Sequence, residues 1–333
     1  MRRKIIGTDK IIPMGIIQED QYLSSTFIDS LRNSNLNKTR SVPKSDLHNH
    51  GMMGGRLRTM EKFYGTKLGK FKPGKQGILE INNWIANVYR PLLEHPVVLE
   101  NAMKAAFIQA KHDGVSILEM SIDVYMGRLL NISPGKIIET LDKVHKSIAA
   151  DIDFRPELGF NRSFSVRSLL SAFEPYLELT YFKAIDLYDD ESAQPVKNFF
   201  ELFRFAKKKG YRCKAHAGEF GDAESVREAV EILELDAVQH GIGAAENKEV
   251  MRWLADLKIP LHTSPVSNIG LKRVKSYQTH PIRILYDHGV KVTVNTDDVM
   301  LFDKGNSEQY LKLFNCGLFS AEELDEIRMN GLI

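Results

Sequence analysis

Val290-Lys291-Val292-Thr293-Val294-Asn295-Thr296-Asp297-Asp298 reads as a short strand that ends on an amide, a hydroxyl and two carboxylates. Valine and threonine suit a pleated, half-buried surface, so a strand is expected over 290–296 with its polar residues at the C-terminal end. Three other segments repeat that grammar. Ser45-Asp46-Leu47 leads into His48-Asn49-His50, Tyr211-Arg212-Cys213-Lys214-Ala215 into His216-Ala217-Gly218-Glu219, and Ala237-Val238-Gln239 into His240-Gly241. Chemistry-bearing residues at the ends of several strands are what a barrel gathers at one face. Three histidines and a carboxylate suit zinc, with water in the open position.

Working outward, further strands are expected at 45–49, 115–122, 152–160, 181–187, 211–216, 236–240 and 259–263, eight with the first. Helix-period apolar residues fill most of the gaps: Leu99, Met103 and Ala106; Ile137, Leu141, Val144 and Ile148; Leu202, Phe203 and Phe205; Val226, Val230 and Leu233. Strands alternating with helices argue parallel βαβ units, and eight of them argue a closed (β/α)8 TIM-type barrel over 45–333. Residues 1–44 read as an N-terminal arm with a helix near Gln21 to Leu31. The stretch 51–98 is too long for one βα connection and is expected to line or cover a pocket.

Composition narrows the class. Hydrophobic residues at 43% and charged residues at 26% predict an ordinary soluble core. The formal net charge is +2, and the one dense cationic cluster, Lys207-Lys208-Lys209 before Gly210, fits a helix C-terminus, which favours cations. No nucleic-acid partner is expected. Cys213 and Cys316 give no disulfide framework. The basic start, Met1-Arg2-Arg3-Lys4-Ile5-Ile6-Gly7, turns polar at once and lacks the apolar stretch of about 7–15 residues that a signal peptide needs. No run approaches the roughly 20 apolar residues of a membrane span. A reducing cytoplasm is the default expectation, with no membrane partner.

On a strand, residues two apart face the same way, so His48 and His50 can share one metal. Such a pair alone is more often two satisfied core histidines. Likewise Thr296-Asp297-Asp298 reads as a helix N-cap as readily as a site, and His240-Gly241 as a turn. What separates the readings is that all four segments sit at strand ends. Gly218 would relax the turn that swings Glu219 over the pocket, where a partly dry carboxyl can act as acid or base. Adjacent Asp297 and Asp298 diverge, so one can ligate metal while the other faces the water. His240 is placed to polarise a developing alkoxide.

These residues resemble the adenosine deaminase family of metal-dependent hydrolases. The likeness runs through His48-Asn49-His50, Asp186-Leu187 before Asp190-Glu191, His216-Ala217-Gly218-Glu219, His240-Gly241, Ser264-Pro265-Val266-Ser267-Asn268, and His280-Pro281 to Asp298. Gly159-Phe160-Asn161-Arg162 matches more loosely. The resemblance covers residues 45 to about 330 and implies the (β/α)8 barrel. It implies one zinc per chain held by His48, His50, His216 and Asp297. It implies that Glu219 delivers a proton to the ring nitrogen beside the reacting carbon, and that His240 and Asp298 orient and deprotonate the attacking water. The implied substrate is a small-molecule purine, and the products are a 6-oxo purine and ammonia.

The departures bear on substrate. The family follows its His-x-His with Leu, an acid and Gly, where this chain has Gly51-Met52-Met53. A hydroxyl set against Met52 and Met53 would be desolvated without a partner, so adenosine is expected to be a poor substrate beside adenine or methylthioadenosine. The family glycine whose amide contacts the purine is Asp189 here, Val299 replaces a proline, and Ser264 replaces a cysteine. The sequence ends at Ile333, short of the family's usual final helices. A second reading follows: a barrel that binds a nucleoside or a protein partner without turnover. Bound metal with no ammonia from any purine would favour it, and the intact Glu219, His240 and Asp298 weigh against it. Nothing in the sequence sets the oligomeric state.

Overall fold

The computed structural model describes residues 14–74, 77–95 and 97–332, so the basic start at Met1 to Lys10 lies outside the described residues. Eight parallel strands follow one another around a nearly closed barrel in chain order. They are β1 (Lys44–Asp46), β2 (Val115–Asp123), β3 (Asp153–Asn161), β4 (Ala184–Tyr188), β5 (Arg212–Ala217), β6 (Ala237–His240), β7 (Leu261–Thr263) and β8 (Val292–Val294). Helices Val98–His112, Pro134–Ile148, Phe200–Lys208 and Ala223–Leu233 occupy the gaps where helical periodicity was read. Each buries its apolar stripe, for instance Ile137, Leu141 and Val144. The Lys207 to Lys209 cluster does end a helix, with Lys209 as C-cap.

The first and last strands are shorter than expected, and the reason is where their hydrogen bonds go. Beyond Val294 the ladder gives way to side chains. Asn295 Oδ1 accepts from the Leu47 N–H at 2.8 Å, and Asp46 Oδ1 accepts from the Thr296 N–H at 3.0 Å. Asn306 Nδ2 donates to both Ser45 O (2.7 Å) and Val294 O (2.9 Å). Asp297 N–H then reaches His48 O at 2.8 Å, so the chain ends that carry Asp297 and His48 are joined directly. β4 also starts later than expected, at Ala184, four residues after Thr180 turns the chain with φ 47°.

The chain before the barrel forms helices Met14–Arg32 and Leu36–Arg40. Phe27 of the first packs edge-on against Tyr310, ring centroids 5.3 Å apart. The stretch 51–98 folds into helix Leu57–Tyr64, helix Ile78–Trp84, a π-helical turn Ile85–Tyr89 and a 3-10 turn Arg90–Glu94. It is anchored by Tyr89, whose hydroxyl donates to Met52 O at 2.8 Å. Inside the barrel, fully buried Lys214 donates to Glu119 at 2.8 Å and pairs with Glu157, which satisfies a charge that burial would otherwise make costly. No described helix is long and apolar enough to cross a membrane.

Candidate active site

The C-terminal ends of the strands bring the chemistry together. His48, His216, His240 and Asp297 each offer a ligand atom within 4.8 Å of the others, and His50, Asp297 and Asp298 form a second such group that shares Asp297. His48 and His50 lie just past β1, where a single bridge between His50 and Ser121 keeps the chain in register with β2. The backbone is forced here. His240 sits at φ 62° and Asp297 at φ 57°, conformations that cost non-glycine residues about 1–3 kcal/mol and persist where the surroundings over-determine them. Gly218, at φ 68°, has no such cost, and a Cβ there would lie 2.3 Å from Val226 Cγ2.

Hydrogen-bond polarity decides what each imidazole presents. His48 Nδ1 lies 3.2 Å from His262 O, which can only accept, so Nδ1 carries the proton. His216 Nδ1 lies 3.3 Å from the Asp186 carboxylate and does the same. Both rings therefore turn an Nε2 lone pair inward, and these two atoms are 3.0 Å apart. Two lone pairs converge with no proton between them, and a cation at that point satisfies both. His50 Nε2, 3.2 Å from Asp297 Oδ1, borders the same spot. The donor set of imidazoles and carboxylate thus fits a borderline-soft divalent metal, and Asp186 and His262 hold His216 and His48 in the orientation that binding such an ion would need.

Proton-active groups surround this point. Burial first, and the nearby Asp297 charge second, raise the Glu219 carboxyl well above its usual value and so favour its protonated form. Burial and Asp297 lift Asp298 to about 7. Burial pushes His240 down to about 3, so its ring is neutral. His240 Nε2 stands 3.4 Å from Glu219 Oε2 and 3.8 Å from Asp297 Oδ2. Asp298 occupies the N-cap position of the short helix Val299–Phe302, yet its side chain makes no capping bond, and its Oδ1 is buried without a partner. His240-Gly241 does form a turn, with Gly241 at φ 70°.

A cavity of about 280 Å³ opens beside these groups, and Met52, Met53 and Asp189 are among the residues that line it. The 51–98 stretch adds Ile78, Ile81, Ile85, Tyr89 and Leu93, an apolar wall. Three carboxylates here are held by bonds that the sequence does not announce. Asp123 at the end of β2 accepts from the Tyr188 hydroxyl. Asp189 accepts from Asn161 and from Asn82, the latter at 3.3 Å. Glu191 accepts three backbone N–H groups, from Gly218, Glu219 and Phe220 at 2.8, 2.8 and 2.9 Å, and so fixes the loop that carries Glu219. Asn161, Tyr188, Asp189 and Glu191 lie in stretches that resemble the family motifs, and Asp123 does not.

The chain is similar to known proteins. Residues 100–333 match the sequence pattern of the family described as adenosine deaminase. A Treponema pallidum protein that bears the provisional assignment adenosine/adenine deaminase is 33% identical over 293 residues, which span 87% of this chain and 98% of that one. The structure of an adenine deaminase from Arthrobacter aurescens superposes with a TM-score of 0.77 at 22% identity, covering 87% of this chain and 92% of its own. An amidohydrolase from Burkholderia ambifaria with bound Zn gives 0.76 at 21% identity, covering 98% and 89%. At these identities the two structures speak to the fold, a TIM barrel.

Proposed function

Given that the chain belongs to the adenosine deaminase family of metal-dependent purine deaminases, we propose that its metal is zinc and its substrate an uncharged aminopurine base or nucleoside. The observation that carries the metal is the 3.0 Å approach of the His48 and His216 Nε2 atoms, each with its lone pair turned inward. His48, His50, His216 and Asp297 would hold it. When bound, zinc supplies a Lewis acid that lowers the pKa of water toward about 7.

The chain's own residues do the rest. Glu219, whose protonated form burial and Asp297 favour, donates to the ring nitrogen and leaves the adjacent carbon electrophilic. Asp298 takes the proton of the attacking water. His240 faces the oxygen as charge develops on it. As the tetrahedral centre collapses, Asp298 passes its proton to the amino group, which leaves as ammonia, and the hydroxyl proton returns to Glu219, leaving a 6-oxo purine with its ring nitrogen protonated. Meanwhile the apolar wall of Met52, Met53 and Ile81 keeps bulk water from the ring.

Cavity charge favours an uncharged substrate. Among the described residues that line it there is no lysine or arginine, while Asp123 and Asp189 both do. A phosphate would enter without a cation and against two carboxylates. Beside Met52 and Met53 the 51–98 stretch contributes mainly apolar side chains, and the Tyr89 hydroxyl there already donates to Met52 O, which supports adenine or methylthioadenosine over adenosine. The test is ammonia release by metal-loaded protein from adenine, adenosine, deoxyadenosine, methylthioadenosine and adenosine monophosphate. The expected order places the monophosphate last. Turnover of the monophosphate above every uncharged purine would overturn the charge argument, and no release from any purine would favour the non-catalytic reading. A tenfold or greater preference for adenosine over adenine and methylthioadenosine would show that another residue reads the ribose.

A further inference from the structure

We propose that Asn268 is a positioning residue whose one amide sets the polarity of both His240 and Glu219, and that His280 holds that amide in orientation. The inference rests on the deaminase reading of the site but concerns groups that touch neither substrate nor metal.

The chain of hydrogen bonds starts from a group that cannot change roles. The Ile282 backbone N–H points at His280 Nδ1 at 3.1 Å. His280 Nδ1 must therefore accept, and its proton sits on Nε2. That Nε2 lies 3.2 Å from Asn268 Oδ1, to which it donates. The orientation of the Asn268 amide follows, with Nδ2 on the other side. Nδ2 carries two hydrogens and has two acceptors, His240 Nδ1 at 3.1 Å and Glu219 Oε1 at 3.1 Å. Asn268 is fully buried, and His240 and His280 are nearly so, so water does not compete for these bonds.

Two consequences reach the reaction centre. His240 Nδ1 is an acceptor, so its Nε2 bears the proton and presents a donor toward Glu219 Oε2 and Asp297. This is the opposite tautomer from His48 and His216, whose Nδ1 atoms donate. His240 is thereby kept off the metal and cast as a hydrogen-bond donor to developing negative charge. Deprotonation of the water falls to Asp298 alone. On Glu219, Oε1 is committed as an acceptor, so the acid's proton is carried on Oε2, which still turns a lone pair to the His240 Nε2–H. Turning the amide by half a rotation would reverse both assignments at once. It would also set Nδ2 against the His280 Nε2–H, donor against donor.

The test is imidazole nitrogen NMR on the full-length, metal-loaded chain with 15N-labelled histidine, His240 being assigned by difference with His240→Gln. The expected wild-type signature is a pyridine-like Nδ1 and a pyrrole-like Nε2 for His240. Asn268→Asp, which offers Nδ1 an acceptor, should reverse the pattern. It should also lower kcat on the order of 100-fold, the cost of losing one preorganised donor, with KM changed less than about threefold. His280→Leu should act in the same direction. His280→Gln, which can still donate to Asn268 Oδ1, should restore the wild-type tautomer and most of kcat. A wild-type His240 with its proton on Nδ1 would overturn the proposal whatever the turnover. So would Asn268→Asp with unchanged tautomer and kcat. If no purine is turned over, the NMR arm still decides this point independently of the deaminase reading.

Discussion

Asp189 holds its backbone at φ 83° while its carboxylate accepts a hydrogen bond from Asn161, the last residue of the neighbouring strand. A family glycine at this position is what the left-handed backbone favours. Here an aspartate adopts it, one of the residues that tolerate positive φ, and two amides grip its side chain. Two variants that both lack the carboxylate separate backbone strain from side-chain bonding. Asp189→Gly should be more stable than Asp189→Ala by about 1 kcal/mol, because only alanine pays the strain of the left-handed region. Urea midpoints measure the difference. An alanine variant equal to or more stable than the glycine one would show that the backbone relaxes out of that region.

Glu219→Gln is expected to keep the fold and the metal while losing turnover by about 10²- to 10⁴-fold, the usual range for one general acid. Glutamine matches the volume and still offers an oxygen to Asn268 Nδ2, which now donates to Oε1 at 3.1 Å. It has no acidic proton to deliver. Steady-state ammonia release and metal analysis on one preparation check both halves. Near wild-type turnover would mean that the ring nitrogen draws its proton elsewhere.

His216→Ala should lose most of the metal, whereas wild-type protein should carry one divalent ion per chain. The Nε2 of His216 is one of the two lone pairs that meet at 3.0 Å, and Asp186 behind it is left without its histidine partner. Because metal binds the folded state, removing it from wild type should lower the unfolding temperature, by an amount that grows with affinity. Elemental analysis and thermal unfolding before and after chelation measure this. Well below one metal per chain after zinc is added back would contradict the ligand set.

Much of this was legible in the sequence because it is local. Alternating strand and helix periods marked the barrel, and His48, His216, His240 and Asp297 stood at the ends of runs already read as strands. The seam was not legible. β1 and β8 are three residues each, and Asn295 and Asn306 close the gap with side-chain bonds that no periodicity announces. Asp123 and Tyr188 meet across β2 and β4, 65 positions apart, so their pairing is a property of the barrel alone. Asn268 and His280 stood inside noted motifs, but their roles depend on which atoms donate, and that is fixed only by the Ile282 N–H.

The last prediction concerns acid. Burial alone pushes the His280 imidazole down to about 3 in the folded chain, against an ordinary value near 6.5 once unfolded. Between those values the unfolded chain binds a proton that the folded chain refuses, so folded-state stability falls as pH falls through that window and is fully present above about 6.5. The slope approaches about 1.4 kcal/mol per pH unit for one such group. Between pH 7 and pH 5 it amounts to about 2 kcal/mol. Other buried histidines, His262 among them, add to the total. Their contribution cancels when wild type is compared with His280→Gln, which cannot titrate. Urea unfolding at pH 7 and pH 5 should therefore show the variant losing about 2 kcal/mol less than wild type over that interval. Equal losses in the two proteins would mean that His280 is protonated in the folded chain, and its Nδ1 could then not accept from Ile282.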